Sequence, residues 1–142
     1  MNTFKTFLLT AITVSSWFIT IEPANSQEKI EVTSLIQSTQ GLSGKKFSYP
    51  RWKQAELRLL RVNIPVGLQT PLHIHPAPMV VYVQQGKLKH SRGETINYFT
   101  VGESFIESNS GSSHFVESVG EKPVILIVSV SSAVGLPTTI NK

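Results

Sequence analysis

Two histidines separated by a single residue, His73 and His75, are the best-placed metal-binding side chains in this 142-residue chain. Successive side chains of a β-strand point to opposite faces, so positions 73 and 75 of a strand project from the same face. A third histidine, His114, follows the glycine turn Asn109-Ser110-Gly111-Ser112-Ser113. Imidazole nitrogen binds most first-row transition metals, and three histidines leave coordination positions open to water or substrate. The pattern predicts one divalent ion, with Fe, Zn, Ni, Mn and Cu as candidates.

The three histidines can meet only if the strands that carry them belong to one closed sheet. From Ala55 onward, short apolar runs alternate with turn signals, which are Val66-Gly67, Gln85-Gly86, Arg92-Gly93, Val101-Gly102, Ser110-Gly111 and Gly120-Glu121-Lys122-Pro123. Turns at this spacing, with β-branched and aromatic residues between them, predict an all-β sandwich or barrel. No segment of the interior has the pattern of a helix.

Three local patterns predict how particular segments fold. Within Ala55–Ile64 the alternation of apolar residues changes phase, which predicts a β-bulge or a sheet crossing near Leu59-Leu60. The continuous apolar run 124–130 is typical of a central strand covered on both faces. The tail from Ala133 to Lys142 is expected to leave the barrel.

The spacing around the histidines resembles the two motifs of the cupin superfamily. In the first motif a glycine, His-x-His, a glutamate and a second glycine correspond here to Gly67, His73, His75, Met79 and Gly86, with methionine at the glutamate position. The second motif matches less closely, through Gly102, Gly111, His114 and Ser118, with Asn109 at the family's proline and Ser118 at its asparagine. The resemblance is to small exported single-domain cupins and covers most of residues 30 to 131.

This resemblance implies a double-stranded β-helix, the jelly-roll cupin barrel, with His73, His75 and His114 as metal ligands. Met79 takes the fourth position of the motif, either as apolar lining or with its thioether on the metal, which would select copper(I). Packing is the favoured role, since methionine is ordinarily a flexible core filler. A neutral three-histidine shell leaves the ion its full charge, which favours anionic, chelating substrates.

Other polar side chains are weaker candidates for the site. Glu107 and Glu117 are interpreted either as a general base or as solvent-facing strand residues. His90, in the basic segment Lys87–Arg92, is interpreted as a surface feature. The expected polar lining of the pocket consists of Gln69, Tyr82 and Tyr98.

The N-terminus has the pattern of a secretory signal peptide. Lys5 precedes an apolar stretch interrupted by hydroxyl side chains, and the small-x-small site Ala24-Asn25-Ser26 follows. The stretch is shorter than the roughly 20 apolar residues of a membrane span. The predicted organisation is a signal peptide over 1–26, an arm over 27–45, the barrel over 46–131 and a tail over 132–142. The expected location is the periplasm or the exterior, with no membrane partner after cleavage.

Composition excludes several classes of site. The chain has no cysteine, which excludes disulfides, thiolate metal sites and cysteine nucleophiles. It also has no aspartate. The net charge is +4, and the basic residues that precede the histidine motif alternate with apolar ones, which is typical of a solvated strand face. Nucleic acid is therefore not an expected partner.

The resemblance implies two leading functions, between which the fold does not choose. One is a metal-dependent enzyme, dioxygenase-like or a lyase or isomerase, acting on a small anionic or oxygenated substrate. The alternative is a non-catalytic cupin module that binds a small ligand or a metal, and a third hypothesis is an oligomeric scaffold. The resemblance also implies a homodimer, paired through the arm from Glu31 to Leu42.

Overall fold

Strands are the only long regular elements of the described residues, which are 30–51 and 53–142 of this computed structural model. They are β1 Ala55–Ile64, β2 His73–Ile74, β3 Met79–Gln85, β4 Leu88–Arg92, β5 Thr95–Phe99, β6 Ser104–Glu107, β7 Phe115–Ser118, β8 Val124–Ala133 and β9 Ile140–Asn141. The all-β prediction is confirmed. The signal peptide predicted over 1–26 lies outside the described residues. Within those residues, no helix is long and apolar enough to cross a membrane.

The strands form two larger sheets and one short pair. One sheet has the order β1-β8-β3-β6, the second has the order β5-β4-β7, and β2 pairs with β9. All of these pairings are antiparallel. Isolated bridges between His73 and His114 and between Gln69 and Glu117 join the β2 region to β7. The β2-β9 pair therefore continues the second sheet.

The core lies on one face of the four-stranded sheet. Along β3, Met79, Val81 and Val83 are buried while Val80 is exposed, the two-residue period of a strand. The buried side of β8 follows the same period from Val124 to Val130. These side chains belong to one apolar cluster. Full burial of such a side chain contributes about 1.5–3 kcal/mol. β8 is central, as predicted, but only one of its faces is fully buried.

The prediction of a bulge or a sheet crossing in β1 is wrong, since the whole strand belongs to one sheet. The register of β1 with β8 runs without interruption from Ala55 opposite Ala133 to Ile64 opposite Val124. Leu57 and Leu59 point outward and are 82% and 75% exposed. They are apolar residues of the solvent-facing side of β1 and do not belong to the core. The register shift lies instead on β3, between Val83 and Gln85.

The prediction that the tail leaves the barrel is wrong. β8 ends at Ala133, and the chain turns at Gly135, whose φ of +80° is a conformation that glycine adopts without steric cost. β9 then pairs with β2, placing Asn141 opposite His73. The Arg58 guanidinium holds the intervening segment by donating to the Leu136 carbonyl at 2.6 Å. The C-terminal segment therefore crosses the mouth of the barrel.

The chain before β1 runs along the free edge of β6. The Leu42 N–H donates to the Ile106 carbonyl at 2.7 Å, and the Ser108 hydroxyl donates to the Lys46 carbonyl at 3.1 Å. A Cβ at Gly41 would stand 2.6 Å from the backbone nitrogen of Ser108, so this approach requires glycine. The free edge of β6, the last strand of its sheet, is thereby covered.

Candidate metal centre

The backbone brings the three histidines of the motif together. His73 is the first residue of β2, His75 directly follows that strand, and His114 directly precedes β7. His73 and His114 exchange two backbone hydrogen bonds, each of 2.9 Å. The ring centroids of the three histidines are 4.5–5.0 Å apart. Barrel closure thus brings residues 73 and 114 side by side.

The spacing of the ring nitrogens suits a single metal ion. One potential ligand nitrogen from each of His73, His75 and His114 lies within 4.8 Å of the other two. Nε2 of His75 and Nε2 of His114 are 3.3 Å apart. Two ligands about 2.1 Å from a shared ion, at tetrahedral angles, are separated by roughly 3.4 Å. The donor atoms are therefore close to the positions that an ion requires.

Backbone carbonyls set the protonation of two of the rings. His73 Nδ1 lies 2.7 Å from the Pro71 carbonyl oxygen, and His75 Nδ1 lies 3.0 Å from that of Thr138. A carbonyl only accepts hydrogen bonds, so Nδ1 carries the proton in each neutral ring and Nε2 keeps its lone pair. Metal-binding histidines are commonly oriented in this way. The residues therefore fit a divalent transition metal.

Burial lowers the pKa of two of the three imidazoles, those of His75 and His114. His73, His75 and His114 are 6%, 8% and 2% exposed. Burial lowers the pKa of His75. Burial also lowers the pKa of His114 to about 3, against the opposing effect of the Glu107 charge and with smaller contributions from His90, Arg92 and His73. Near pH 7 a metal ion would meet unprotonated His75 and His114.

A cavity of about 200 Å³ adjoins the histidines. Its walls are largely apolar and include Leu60, Val81 and Val128, while Thr138 and Thr139 of the tail also line it. A cavity on the order of 150 Å³ holds a benzene molecule. The space beside the histidines therefore suits a small organic molecule.

The polar residues predicted to line the pocket lie elsewhere. Tyr82 shares the outward face of β3 with Val80. Tyr98 is 55% exposed, with Lys87 Nζ 5.3 Å from its ring centroid. Gln69 is exposed. None of Gln69, Tyr82 and Tyr98 is among the described residues of the cavity wall, because the sequence does not reveal which face of a strand is turned inward.

Met79 lines the cavity and belongs to the apolar cluster, with 5% of its surface exposed. Its placement agrees with the favoured packing role. Across the β3-β6 pair, Met79 stands directly opposite Glu107.

His90 is not a surface residue, and that interpretation was wrong. It is fully buried, with its ring stacked against that of His114 at a centroid distance of 4.7 Å. Its Nε2 lies 2.6 Å from Glu107 Oε1. β4 directs Leu88 and His90 inward and the intervening Lys89 towards solvent. The two-residue period from Leu88 to His90 was the available signal, masked by the neighbouring basic residues.

Glu107 is the site residue whose position the sequence left undecided. It is 1% exposed, lines the cavity from β6, and has Oε1 3.8 Å from His114 Nε2. Its Oε2 accepts a hydrogen bond from the Arg92 guanidinium. Phe105, two residues earlier on β6, shares this inward face. That period was a usable signal, but Ile106, which points to the other face, is buried too, in a pocket that Phe47 and Tyr49 also line.

The carboxyl group of Glu107 is held ionised. Burial by itself would raise the pKa of Glu107, but the hydrogen bond from His90 and the charges of His114, His90 and Arg92 together lower it to about 2. Glu117, the other carboxylate considered, pairs with Lys89 at 3.0 Å on the half-exposed side of the sheet. Glu107 is therefore the ionised carboxylate at the histidine end of the cavity.

We expect the metal-free protein to lose stability as the pH falls. The pKa of His114 decreases from 6.5 to about 3 on folding, and that of Glu107 from 4.5 to about 2. The unfolded chain binds protons first at both groups, so the unfolding free energy falls below pH 6.5 through His114 and further below 4.5 through Glu107. Thermal melts of chelator-treated protein across this range should show a falling Tm. A constant Tm between pH 7 and 4 would contradict this expectation.

Deletion of residues 137–142 should weaken metal binding. It removes β9 and the Thr138 carbonyl to which His75 Nδ1 donates. Loss of such a partner of a metal-binding histidine typically costs about 10–100-fold in affinity. Zinc titration against a chromophoric chelator measures the change. Thr138→Ala is the matched control, because it keeps the carbonyl and removes only the hydroxyl that accepts from Arg58. Equal zinc affinity in the truncated and full chains would exclude this role.

Searches of family models and of curated proteins found no match to this sequence. Solved structures do match. The DMSP lyase DddQ from Ruegeria pomeroyi has a TM-score of 0.52 and 21% identity over 61% of this chain and 43% of its own. The cupin domain of Schizosaccharomyces pombe Cnp3 has a TM-score of 0.50 and 19% identity over 61% of this chain and 60% of its own. A Klebsiella pneumoniae protein with a double-stranded beta-helix domain has a TM-score of 0.52 and 13% identity over 67% and 84% of the two chains.

These neighbours share an architecture with this chain and little sequence. The matched region spans less than two thirds of both the lyase and the Cnp3 domain. The structural similarity establishes the fold, and identities of 13–21% leave function open. The protein has the cupin fold, a double-stranded β-helix, which confirms the fold that the resemblance implies.

Proposed function

We propose that this protein binds one divalent transition-metal ion through His73, His75 and His114 and uses it on a small molecule held in the adjoining cavity. The observation that carries the proposal is the convergence of the three rings at one end of a largely apolar cavity. The carbonyls that fix His73 and His75 leave their Nε2 lone pairs free for the ion. Fe, Zn, Ni, Mn and Cu all accept such ligands.

The proposed activity is that of a metal-dependent enzyme, dioxygenase-like or a lyase or isomerase, on a small anionic or oxygenated substrate. The metal would supply Lewis acidity or oxygen activation. The chain itself contributes apolar walls that exclude water and strengthen electrostatic interactions inside the cavity. A lyase among the structural neighbours supports the enzyme class, although the likeness is one of fold.

The alternative is a non-catalytic module that binds a small ligand or a metal. It is favoured by the state of Glu107, the described carboxylate of the cavity wall, whose pKa of about 2 makes it a weak base. Both of its oxygens already accept hydrogen bonds, from His90 and Arg92. A site without a stronger base suits binding better than proton transfer.

Metal content and turnover together test these proposals. The purified protein is analysed for bound metals by mass spectrometry and then loaded with each ion in turn. Oxygen uptake and product formation are followed with small enolates, diketones, phenols and carboxylates. Turnover with any of them supports the enzyme. Perturbation of the absorption spectrum of a Co²⁺-loaded sample without turnover supports the binding module. A protein that takes up none of the ions contradicts the metal-dependent enzyme and leaves only a module that binds a small ligand.

Export and dimerisation are further proposals. The pattern of residues 1–26 supports cleavage after Ser26, and the mass of the protein recovered from the export compartment tests it. A mass retaining residues 1–26 would exclude cleavage.

Dimerisation through the arm from Glu31 to Leu42 is supported by the 66% exposure of Leu35. Sedimentation of wild-type protein and a Leu35→Ser variant tests the pairing, and a wild-type monomer would exclude it.

A further inference from the structure

We propose that Glu107 is the carboxylate of the metal centre and shields the bound cation from Arg92. This inference rests on the proposed metal site and adds a residue from β6 to its three histidines. Glu107 shares the cavity wall with His73, His75 and His114. His114 connects the two sets of side chains, because it groups with His73 and His75 and also with His90 and Glu107.

The distances place Glu107 next to the ion position. Its Oε1 is 3.8 Å from His114 Nε2. Two ligands about 2.1 Å from one ion are separated by roughly 3.0–3.6 Å for coordination angles of 90–120°, so Oε1 lies only about 0.2 Å beyond that range. The hydrogen bond to His90 uses one lone pair of Oε1, and a carboxylate oxygen has a second one available. The contact with His90 therefore leaves Oε1 able to interact with a cation.

The strand register explains why this position faces the histidines. Met79 and Glu107 are paired across β3 and β6, and both line the cavity. Side chains paired in this way have Cβ atoms about 4.5–5.5 Å apart. Met79 has no charge to offer a metal ion. Glu107 supplies a negative charge to the same region of the wall from the neighbouring strand.

The charge of Arg92 determines how loss of the Glu107 charge would affect metal binding. Its side chain is 9% exposed and pairs with Glu107, whose side chain is 2% exposed. The negative charge of ionised Glu107 compensates the positive charge of Arg92. A metal ion can then bind at the histidines without an uncompensated positive charge beside it. If Glu107 were neutral, Arg92 and the metal would repel each other in a medium that screens charge poorly. Removing Glu107 and removing Arg92 should thus affect metal binding in opposite directions.

Zn²⁺ affinity of single variants tests this prediction. Glu107→Gln keeps the shape of the side chain, and we expect it to weaken Zn²⁺ binding about 10–100-fold, in the range found for groups that support metal ligands. Glu117→Gln is the matched control, because it removes a strand carboxylate that pairs with Lys89 outside the cavity wall. It should bind Zn²⁺ like the wild type.

Arg92→Met separates a charge effect from a packing effect. We expect this variant to bind Zn²⁺ at least as tightly as the wild type, and its Tm to increase more on saturation with Zn²⁺ than the wild-type Tm does. The ion would then compensate the Glu107 charge that has lost its partner. Equal weakening by Arg92→Met and Glu107→Gln would overturn the proposal, because both would be acting through the packing of the barrel.

The failure of this inference is distinguishable from failure of the metal site itself. Wild-type binding that Glu107→Gln leaves unchanged would overturn the role of Glu107 and leave the three-histidine site standing. A wild type that binds no Zn²⁺, Fe²⁺, Ni²⁺, Mn²⁺ or Cu²⁺ would overturn both.

Discussion

Replacement of His73 and His114 by alanine together should reduce bound metal from near one ion per chain to less than a tenth of that. The pair supplies two of the three imidazoles in the group. Complete structural zinc sites bind with about 10–16 kcal/mol. Losing two of three protein ligands should remove several kcal/mol, more than a thousandfold in affinity. Mass spectrometry of the purified protein measures the metal, and circular dichroism verifies folding.

Met79→Leu is the control for this experiment. It preserves the apolar character and approximate volume of a side chain in the same cavity wall. We expect metal content to match the wild type, since Met79 belongs to the apolar cluster. Selective loss of copper from Met79→Leu would show instead that the thioether contacts the metal. Unchanged metal in the double histidine variant would contradict the three-histidine site.

Arg92→Met should destabilise the metal-free protein by about 3–5 kcal/mol. Removal of one member of a buried ion pair leaves an uncompensated charge, and such losses fall in this range. The Arg92 side chain is 9% exposed, and its partner Glu107 lies in the cavity wall. Arg92 also donates to the Ser112 carbonyl, which secures the loop that precedes His114. Chemical denaturation of chelator-treated protein measures the change in unfolding free energy.

Lys89→Met provides the comparison for Arg92→Met. Lys89 lies on the same strand, β4, and pairs with Glu117 at 3.0 Å, but these side chains are 27% and 26% exposed. Partly exposed pairs of this kind contribute about 0–1 kcal/mol. A loss of 1 kcal/mol or less for Arg92→Met would show that water reaches the Glu107 pair. It would also remove the electrostatic basis of the role proposed for Glu107.

The histidine motif shows how far local patterns reach. The spacing of His73 and His75 places both on one side of an extended segment, and the glycine turns around them predict a closed all-β domain. Both expectations depend only on the two-residue period of strands and on turn residues. The prediction that His114 joins the pair depends on closure of the sheet and is supported by the family resemblance. The backbone bridge between His73 and His114 shows how the fold allows it.

The sequence predictions were wrong where they depended on which face of a strand is covered by the rest of the protein. Leu57 and Leu59 are apolar and exposed, while His90 and Glu107 are polar and buried. The alternation in β1, β4 and β6 indicates which residues share a face, and it does not indicate which face is covered. Tyr82 was assigned to the interior for the same reason, although it shares the outer face of β3.

The all-β class, the turn positions and the side-by-side placement of His73 and His75 could be predicted from the sequence, because they depend on residues close together in the chain. The positions of Glu107 beside His114 and of the Thr138 carbonyl beside His75 depend on the tertiary fold. Each of those contacts joins strands or loops that the chain separates. They form because antiparallel pairing fixes the register of β6 against β3 and of β9 against β2, and local patterns carry no information about that pairing.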